Sequence, residues 1–208
     1  MKKLLVLIVI LGVLLVAGDA WARGKIEGRL ASELQGSLGS TSDIEVSLGG
    51  FPFVLRALSG SIPEATVATE RLTREGLRFT DVTMTLRDIR FSLSKVLAGD
   101  LDAIKVGSGE GRAAIDSDAL GRAIARVRND IEVEIVDDEI RVAAAGRSGV
   151  AEVSLTRNRL ILNVEELGQG LIVPLPRVVA GIKYESVEVV DSRLELGFSL
   201  DDVRLTGL

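Results

Sequence analysis

The stretch LRFTDVTMTLRDIRFSL at residues 77–93 decides the fold, because its apolar side chains alternate as in a strand but change phase twice. The three phases contain, in order, Leu77 and Phe79; Val82, Met84 and Leu86; and Ile89, Phe91 and Leu93. Side chains of a strand point to alternate faces, so each change of phase requires an extra residue. We predict β-bulges or bends near Asp81 and near Arg87-Asp88, which would curl a long antiparallel sheet.

Strand patterns extend on both sides of this stretch. Residues 61–115 are strand-like throughout, 43–48 alternate in the same way, and hairpin patterns continue through 131–164 and 187–200. Neither a fixed-period repeat nor a low-complexity linker divides the chain, so we predict a single domain over 23–208. The predicted fold class is α+β, with a large, strongly curved antiparallel β-sheet of about eight to ten strands that wraps around one or two amphipathic helices.

Two segments have the periodicity of amphipathic helices, residues 24–38 and residues 117–128. The apolar stripes consist of Ile26, Leu30 and Leu34 in the first and of Leu120, Ile124 and Val127 in the second. Asp116-Ser117 provides an N-cap for the second helix. Each helix could simply pack on the core, or the stripes could close one side of an apolar groove.

The segment Gly49-Gly50-Phe51-Pro52-Phe53 interrupts the strand pattern and places two aromatic rings close together in a rigid bend. Leu55 and Leu58 follow in a short apolar stretch that ends at Gly60. Two interpretations stay open for Phe51, Phe53 and these leucines. They form either an internal plug that caps the core or an apolar tip or groove wall that contacts lipid tails.

The N-terminus has the three parts of a secretory signal peptide. Lys2-Lys3 is the positive region, Leu4–Ala17 is the apolar run, and Ala20-Trp21-Ala22 is a small-x-small cleavage pattern. We predict a signal peptide over 1–22 that is processed after Ala22. The alternative is an uncleaved N-terminal membrane anchor from Leu4 to Trp21, with Trp21 at the interface. Both predict an exported globular part in the periplasm or cell envelope.

Composition excludes several kinds of chemistry. The chain contains no Cys and no His, which excludes thiolate and imidazole nucleophiles, bases and metal ligands. The net charge of -5 and the 3% aromatic content argue against a nucleic-acid partner. The acidic pairs fall at predicted turns, and the glycines of GSGEG at 107–111 lack the Lys-Ser/Thr of a phosphate loop, which indicates a turn or weakened strand. We therefore expect no enzyme activity, no cofactor and no metal.

Apolar surface is the remaining feature of the chain that could bind a ligand. An aliphatic concavity with few polar groups suits acyl chains, and each buried methylene contributes about 0.8 kcal/mol. Molecules with acyl chains are thus the expected ligands. The alternative is a non-enzymatic structural or interaction protein of the envelope with a fully packed core, whose protein partner the sequence does not identify.

The stretch IEVSLGGFPFVLRALSG at 44–60 resembles the LmeA-like phospholipid-binding family. Three further stretches look similar to that family, namely DVTMTLRDIRFSLSKVLAG at 81–99, IDSDALGRAI at 115–124 and the final hairpin at 175–205. The resemblance implies an exported bacterial envelope protein with a fold similar to the tubular lipid-binding fold. It also implies that phospholipid and the membrane surface are the partners. The candidate lipid-binding residues are Phe51, Phe53, Leu55, Leu58, Ile26, Leu30, Leu34, Leu120, Ile124 and Val127.

Overall fold

The computed structural model describes residues 2–38, 42–92, 94–95, 104–177 and 181–204, and it consists mainly of antiparallel strands. The helices are α1 (Lys2–Leu38), α2 (Phe53–Leu58) and α3 (Ser117–Ala125), and Glu165–Leu167 forms a 3-10 turn. The strands are β1 (Ile44–Leu48), β2 (Ser61–Arg74), β3 (Leu77–Arg90), β4 (Lys105–Asp116), β5 (Ile131–Val136), β6 (Glu139–Ala144), β7 (Arg147–Thr156), β8 (Arg159–Val164), β9 (Gln169–Pro174), β10 (Lys183–Val190) and β11 (Arg193–Arg204).

The strands form two sheets. The first has the order β1-β2-β3-β4-β11-β10 and the second the order β5-β6-β7-β8-β9, and all neighbours are antiparallel. Burial alternates along β1 and β5, as expected for sheets with one apolar face toward the core. The predicted curled antiparallel architecture is confirmed, but the eleven strands of the described residues form two sheets of six and five strands and not one large sheet of eight to ten. The wrapping of the sheet around helices stays a prediction.

Helix α3 lies between the two sheets and supplies part of the core. It contacts β3 and β4 of the first sheet and β5 and β9 of the second. Ala119, Leu120 and Ile124 are buried on it. As predicted, Asp116 caps the helix, and its carboxylate accepts a hydrogen bond from the amide of Ala119 at 2.6 Å. The Ser117 hydroxyl accepts one from the amide of Ile135, which ties the start of α3 to the second sheet.

The predicted bulge near Asp81 is confirmed. Pairing between β3 and β4 shifts by one residue between Thr80 and Thr83, and Asp81 has a positive φ of 50°. The extra residue turns the buried face of β3 over, so that Phe79 and Leu86 both point to the core.

Of the two forms predicted near Arg87-Asp88, the structure has a bend and not a bulge, because the register runs through this point unchanged. Instead, four strands change phase together along one transverse row, which we call the crease. The flanking pairs place its members opposite one another: Pro63, Asp88, Gly107 and Asp202. Asp88 and Asp202 have positive φ values of 54° and 44°. A Cβ on Gly107 would lie 2.8 Å from the Cβ of Asp88, so the crease requires a glycine there.

Helix α1 extends without interruption from the apolar N-terminal run into the predicted amphipathic helix of residues 24–38. It packs beside the edge strand β1 and against α2. In the part of the chain that the structure describes, no helix combines the length and apolar character that crossing a membrane requires.

Candidate functional site

A polar stripe on α1 holds the segment that follows β1. Asp19, Arg23 and Glu27 are spaced four residues apart, so they lie on one face of the helix. The carboxylate of Asp19 accepts hydrogen bonds from the amide of Phe53 at 3.0 Å and from the amide of Val54 at 2.8 Å. These amides begin α2, whose own N-cap residue Pro52 makes no side-chain cap. Asp19 therefore caps α2 from another helix.

The environment of Asp19 favours its ionised form. Only 6% of the residue is exposed. The hydrogen bond from the amide of Val54 lowers the pKa of the Asp19 carboxyl below its ordinary value, burial opposes this, and the amide of Phe53 and the guanidinium of Arg23 lower it further. The carboxylate thus caps α2 as an anion at neutral pH.

Arg23 and Glu27 continue the contact along the same segment. A guanidinium nitrogen of Arg23 donates to the carbonyl of Gly50 at 2.8 Å, and the guanidinium carbon lies 5.6 Å from the centre of the Phe53 ring. Glu27 accepts a hydrogen bond from the amide of Leu48 at 2.6 Å. The polar stripe was missed in the sequence, where its only signal was the four-residue spacing of charges across the predicted cleavage point.

The order of these contacts fixes the direction of the segment. Glu27 binds Leu48, and eight residues earlier on α1 Asp19 binds Val54. Eight residues of helix rise about 12 Å. The chain therefore runs antiparallel to α1, toward its apolar N-terminal half, and α2 lies level with Asp19.

The two rings of the aromatic bend have opposite environments. Phe53 is 1% exposed and belongs to the core, whereas Phe51 is 60% exposed. Val54, Leu55 and Leu58 on α2 are also exposed. Phe53 is thus the internal plug, while the contact of the exposed residues with lipid tails stays a prediction. We call the exposed group Phe51, Val54, Leu55 and Leu58 the apolar tip.

The other candidate residues divide between surface and core. On α1, Ile26 and Leu30 are exposed and Leu34 packs against the core. Leu120 and Ile124 on α3 are buried, while Val127 follows the end of that helix and is 67% exposed. The structure therefore brings the candidate residues of the bend together. The candidate residues of the α3 segment lie elsewhere and do not form one site with them.

A small apolar cleft opens where the end of α3 meets the edge strand β9. Its volume is about 250 Å³, and it is lined by Ile124, Val127, Arg128, Gly170, Leu171 and Ile172. Ile172 is half exposed on the outer face of β9. Arg128 at the rim pairs with Asp130 through two hydrogen bonds of 3.0 Å. We call this the α3–β9 cleft.

A second, larger cleft lies outside β1, β2 and β3 and has a different character. It measures about 720 Å³ and is open and largely polar. Its lining includes Asp43, Glu45, Glu70, Arg71 and Asp81. Such a lining does not suit acyl chains.

The inner face of the first sheet is filled by its own side chains. Leu194 and Leu196 are fully buried, and Phe198 lies over β4 so closely that a Cβ on Gly111 would come within 2.5 Å of its ring. The glycine stretch at 107–111 is thus part of strand β4, as the prediction of a weakened strand allowed. Among the described residues, no three His, Cys, Asp or Glu side chains converge as metal ligands would.

A curled antiparallel sheet, an exposed apolar tip and an aliphatic cleft define a β-rich protein with apolar surface exposed at two places. The family model described as LmeA-like phospholipid-binding matches residues 17–207. The chain belongs to this family, as its sequence resemblance indicated. The matched region begins two residues before Asp19 and so includes the whole polar stripe. Neither the curated proteins nor the solved structures contain a match to the chain.

Proposed function

We propose that this protein binds phospholipid and holds an acyl chain in the α3–β9 cleft. The observation that carries the proposal is the aliphatic lining of this cleft, in a chain whose family is phospholipid-binding. Val127 and Ile172 expose apolar surface at its mouth, and Ile124 and Leu171 form its floor. In this proposal the curled sheets wrap around α3 and leave this edge open to the ligand.

The size of the cleft limits how much of a lipid it accepts. Ligand pockets commonly measure about 300–1,000 Å³, so a cleft of about 250 Å³ holds part of one chain rather than a whole lipid. Each buried methylene contributes about 0.8 kcal/mol. The remaining lipid would lie along the exposed face of Ile172, and the protein would act by binding, without catalysis.

The proposal places the globular part outside the cytoplasm, in the cell envelope. The supporting feature is the N-terminal sequence, with Lys2-Lys3 ahead of the apolar run Leu4–Ala17. An exported phospholipid-binding protein could carry lipid or support the maintenance of envelope lipids and lipoglycans.

The decisive experiment is phospholipid binding by the purified protein. Mass spectrometry should detect co-purified phospholipid, and the delipidated protein should bind dihexanoylphosphatidylcholine in a calorimetric titration. Val127→Asp should weaken this binding at least tenfold, because a charge at the mouth must be desolvated before the chain enters. Val150→Asp is the matched control, because Val150 is also an exposed valine. It lies on β7, in the same sheet as β9, and outside the cleft.

Absence of phospholipid in both measurements would contradict the proposal, and equal binding by the two variants would reject the cleft as its site. The competing function is a structural or interaction protein with a packed core. The complete burial of Leu120, Leu160 and Leu194 favours it, because these side chains fill the space between the sheets. That function predicts no lipid in either measurement.

A further inference from the structure

We infer that α1 is retained in the functional protein and that its polar stripe holds the apolar tip against the surface of a phospholipid bilayer. This inference does not rest on the α3–β9 cleft. It concerns whether residues 1–22 are removed, and it names the partner of the exposed tip.

The first argument is that the predicted cleavage would remove part of the folded structure. Cleavage after Ala22 separates Asp19 from Arg23 and Glu27. The amides of Phe53 and Val54 would lose the carboxylate that accepts their hydrogen bonds. Arg23 would lose its ion pair with Asp19 at 3.4 Å, although its Nε is already buried without a hydrogen-bond partner in the described structure. If the segment were removed, α2 would lose the residue that caps it, so the cap contributes to the folded domain only when the segment is retained.

The second argument is the position of the tip relative to the apolar run. The segment from Leu48 to Val54 runs along α1 toward Leu4–Ala17, so α2 is the element that this contact brings nearest to that run. If Leu4–Ala17 is embedded in a bilayer, α2 lies at the bilayer surface. Trp21 is 70% exposed and stands about 3 Å along the helix axis from Asp19, at the depth where interfacial tryptophans are enriched.

The third argument is the chemistry of the tip itself. Phe51, Leu55 and Leu58 are each at least 60% exposed. Val54, Leu55 and Leu58 have the spacing of one face of α2, and Phe51 lies two residues before this helix. Short amphipathic helices with such a face bind in the interfacial region of a bilayer. The exposed cations Arg56, Lys25 and Arg29 lie on the same two helices and suit anionic headgroups.

The test uses the full chain reconstituted in vesicles of phosphatidylcholine and phosphatidylglycerol. Because the chain has no Cys, Leu55→Cys and Val150→Cys each introduce a single site for a nitrobenzoxadiazole label. A spin-labelled phospholipid should quench the label at position 55 at least threefold more strongly than the label at position 150. Equal quenching at the two positions would overturn the inference.

Retention of α1 is tested by the intact mass of the protein isolated from the membrane fraction of the expressing cells. The expected mass includes residues 1–22, and a chain that begins at Arg23 would overturn the inference. Binding of dihexanoylphosphatidylcholine monomers, which need no bilayer surface, reports separately on the α3–β9 cleft. An apolar tip that does not contact the bilayer can therefore be distinguished from a protein that does not bind phospholipid in the cleft.

Discussion

Asp19 and Val54 are joined by a hydrogen bond of 2.8 Å across 35 positions of the chain. The carboxylate of Asp19 is the acceptor, and the amide of Val54 is one of the donors that begin α2. This contact links the apolar N-terminal helix to the only short helix that exposes a continuous apolar face among the described residues. It makes residue 19 part of the folded domain.

Replacement of Asp19 should destabilise the full chain. Asp19→Ala leaves two helix-initiating amides without an acceptor, and we expect the melting temperature in detergent to fall by about 2–4 °C. Asp19→Asn keeps one acceptor oxygen and should lose less. The control is Glu132→Ala, because Glu132 is exposed on β5 and should leave the melting temperature unchanged. Equal melting temperatures for Asp19→Ala and the native chain would show that the cap does not contribute.

The crease should depend on the backbone conformation of Asp202. Its φ of 44° is costly for a β-branched residue, so Asp202→Val should lower the free energy of unfolding in urea by about 1–2 kcal/mol. Asp202→Gly should be tolerated, because glycine adopts this conformation readily. Asp201→Val is the neighbouring control, since Asp201 pairs regularly with Ser108. Losses of equal size at 201 and 202 would argue against strain at the crease.

Truncation of Leu120 and of Val127 should change the free energy of unfolding by very different amounts, although both residues belong to the same segment. Leu120 is fully buried between the sheets, so Leu120→Ala should cost about 2–5 kcal/mol in the free energy of unfolding. Val127 is exposed, and Val127→Ala should stay within about 0.5 kcal/mol of the native value. Chemical denaturation measures both. A large loss for Val127→Ala would mean that the α3–β9 cleft is part of the core.

Tyr184 should titrate well above its ordinary range. Burial and, to a smaller extent, the charge of Glu75 raise the pKa of Tyr184 to about 12, and its hydroxyl donates to the carbonyl of Pro176 at 2.8 Å. Because the chain has a single tyrosine, absorbance at the tyrosinate band reports this group alone. The expected midpoint is about 12, and a midpoint near 10 would contradict the burial.

The same shift makes stability depend on pH in a defined window. The folded state holds the proton of Tyr184 more tightly than the unfolded state, so the stabilisation is complete below about pH 10 and is lost as the pH rises toward 12. In Tyr184→Phe this part of the pH dependence should be absent. The difference between the two unfolding curves isolates the contribution of Tyr184.

Local patterns were sufficient for much of the fold. The alternation of Ile44, Val46 and Leu48 predicted β1, and Asp116 predicted the start of α3. The phase change at Asp81 predicted a bulge, because one extra residue reverses a strand locally. At Asp88 the phase change predicted a bulge or a bend, and the chain bends there. That four strands share this bend could not be predicted, because no single strand reveals how the four align.

The sequence by itself determined most of the antiparallel strands, the amphipathic segments of α1 and α3 and the family, because strand alternation, helical periodicity and capping are properties of neighbouring residues. Only the tertiary structure decided that Phe53 is buried while Phe51 is exposed, and that Asp19 caps α2. Both depend on how β1 returns the chain along α1. Contacts between residues more than thirty positions apart arise from that packing, and no local pattern encodes them.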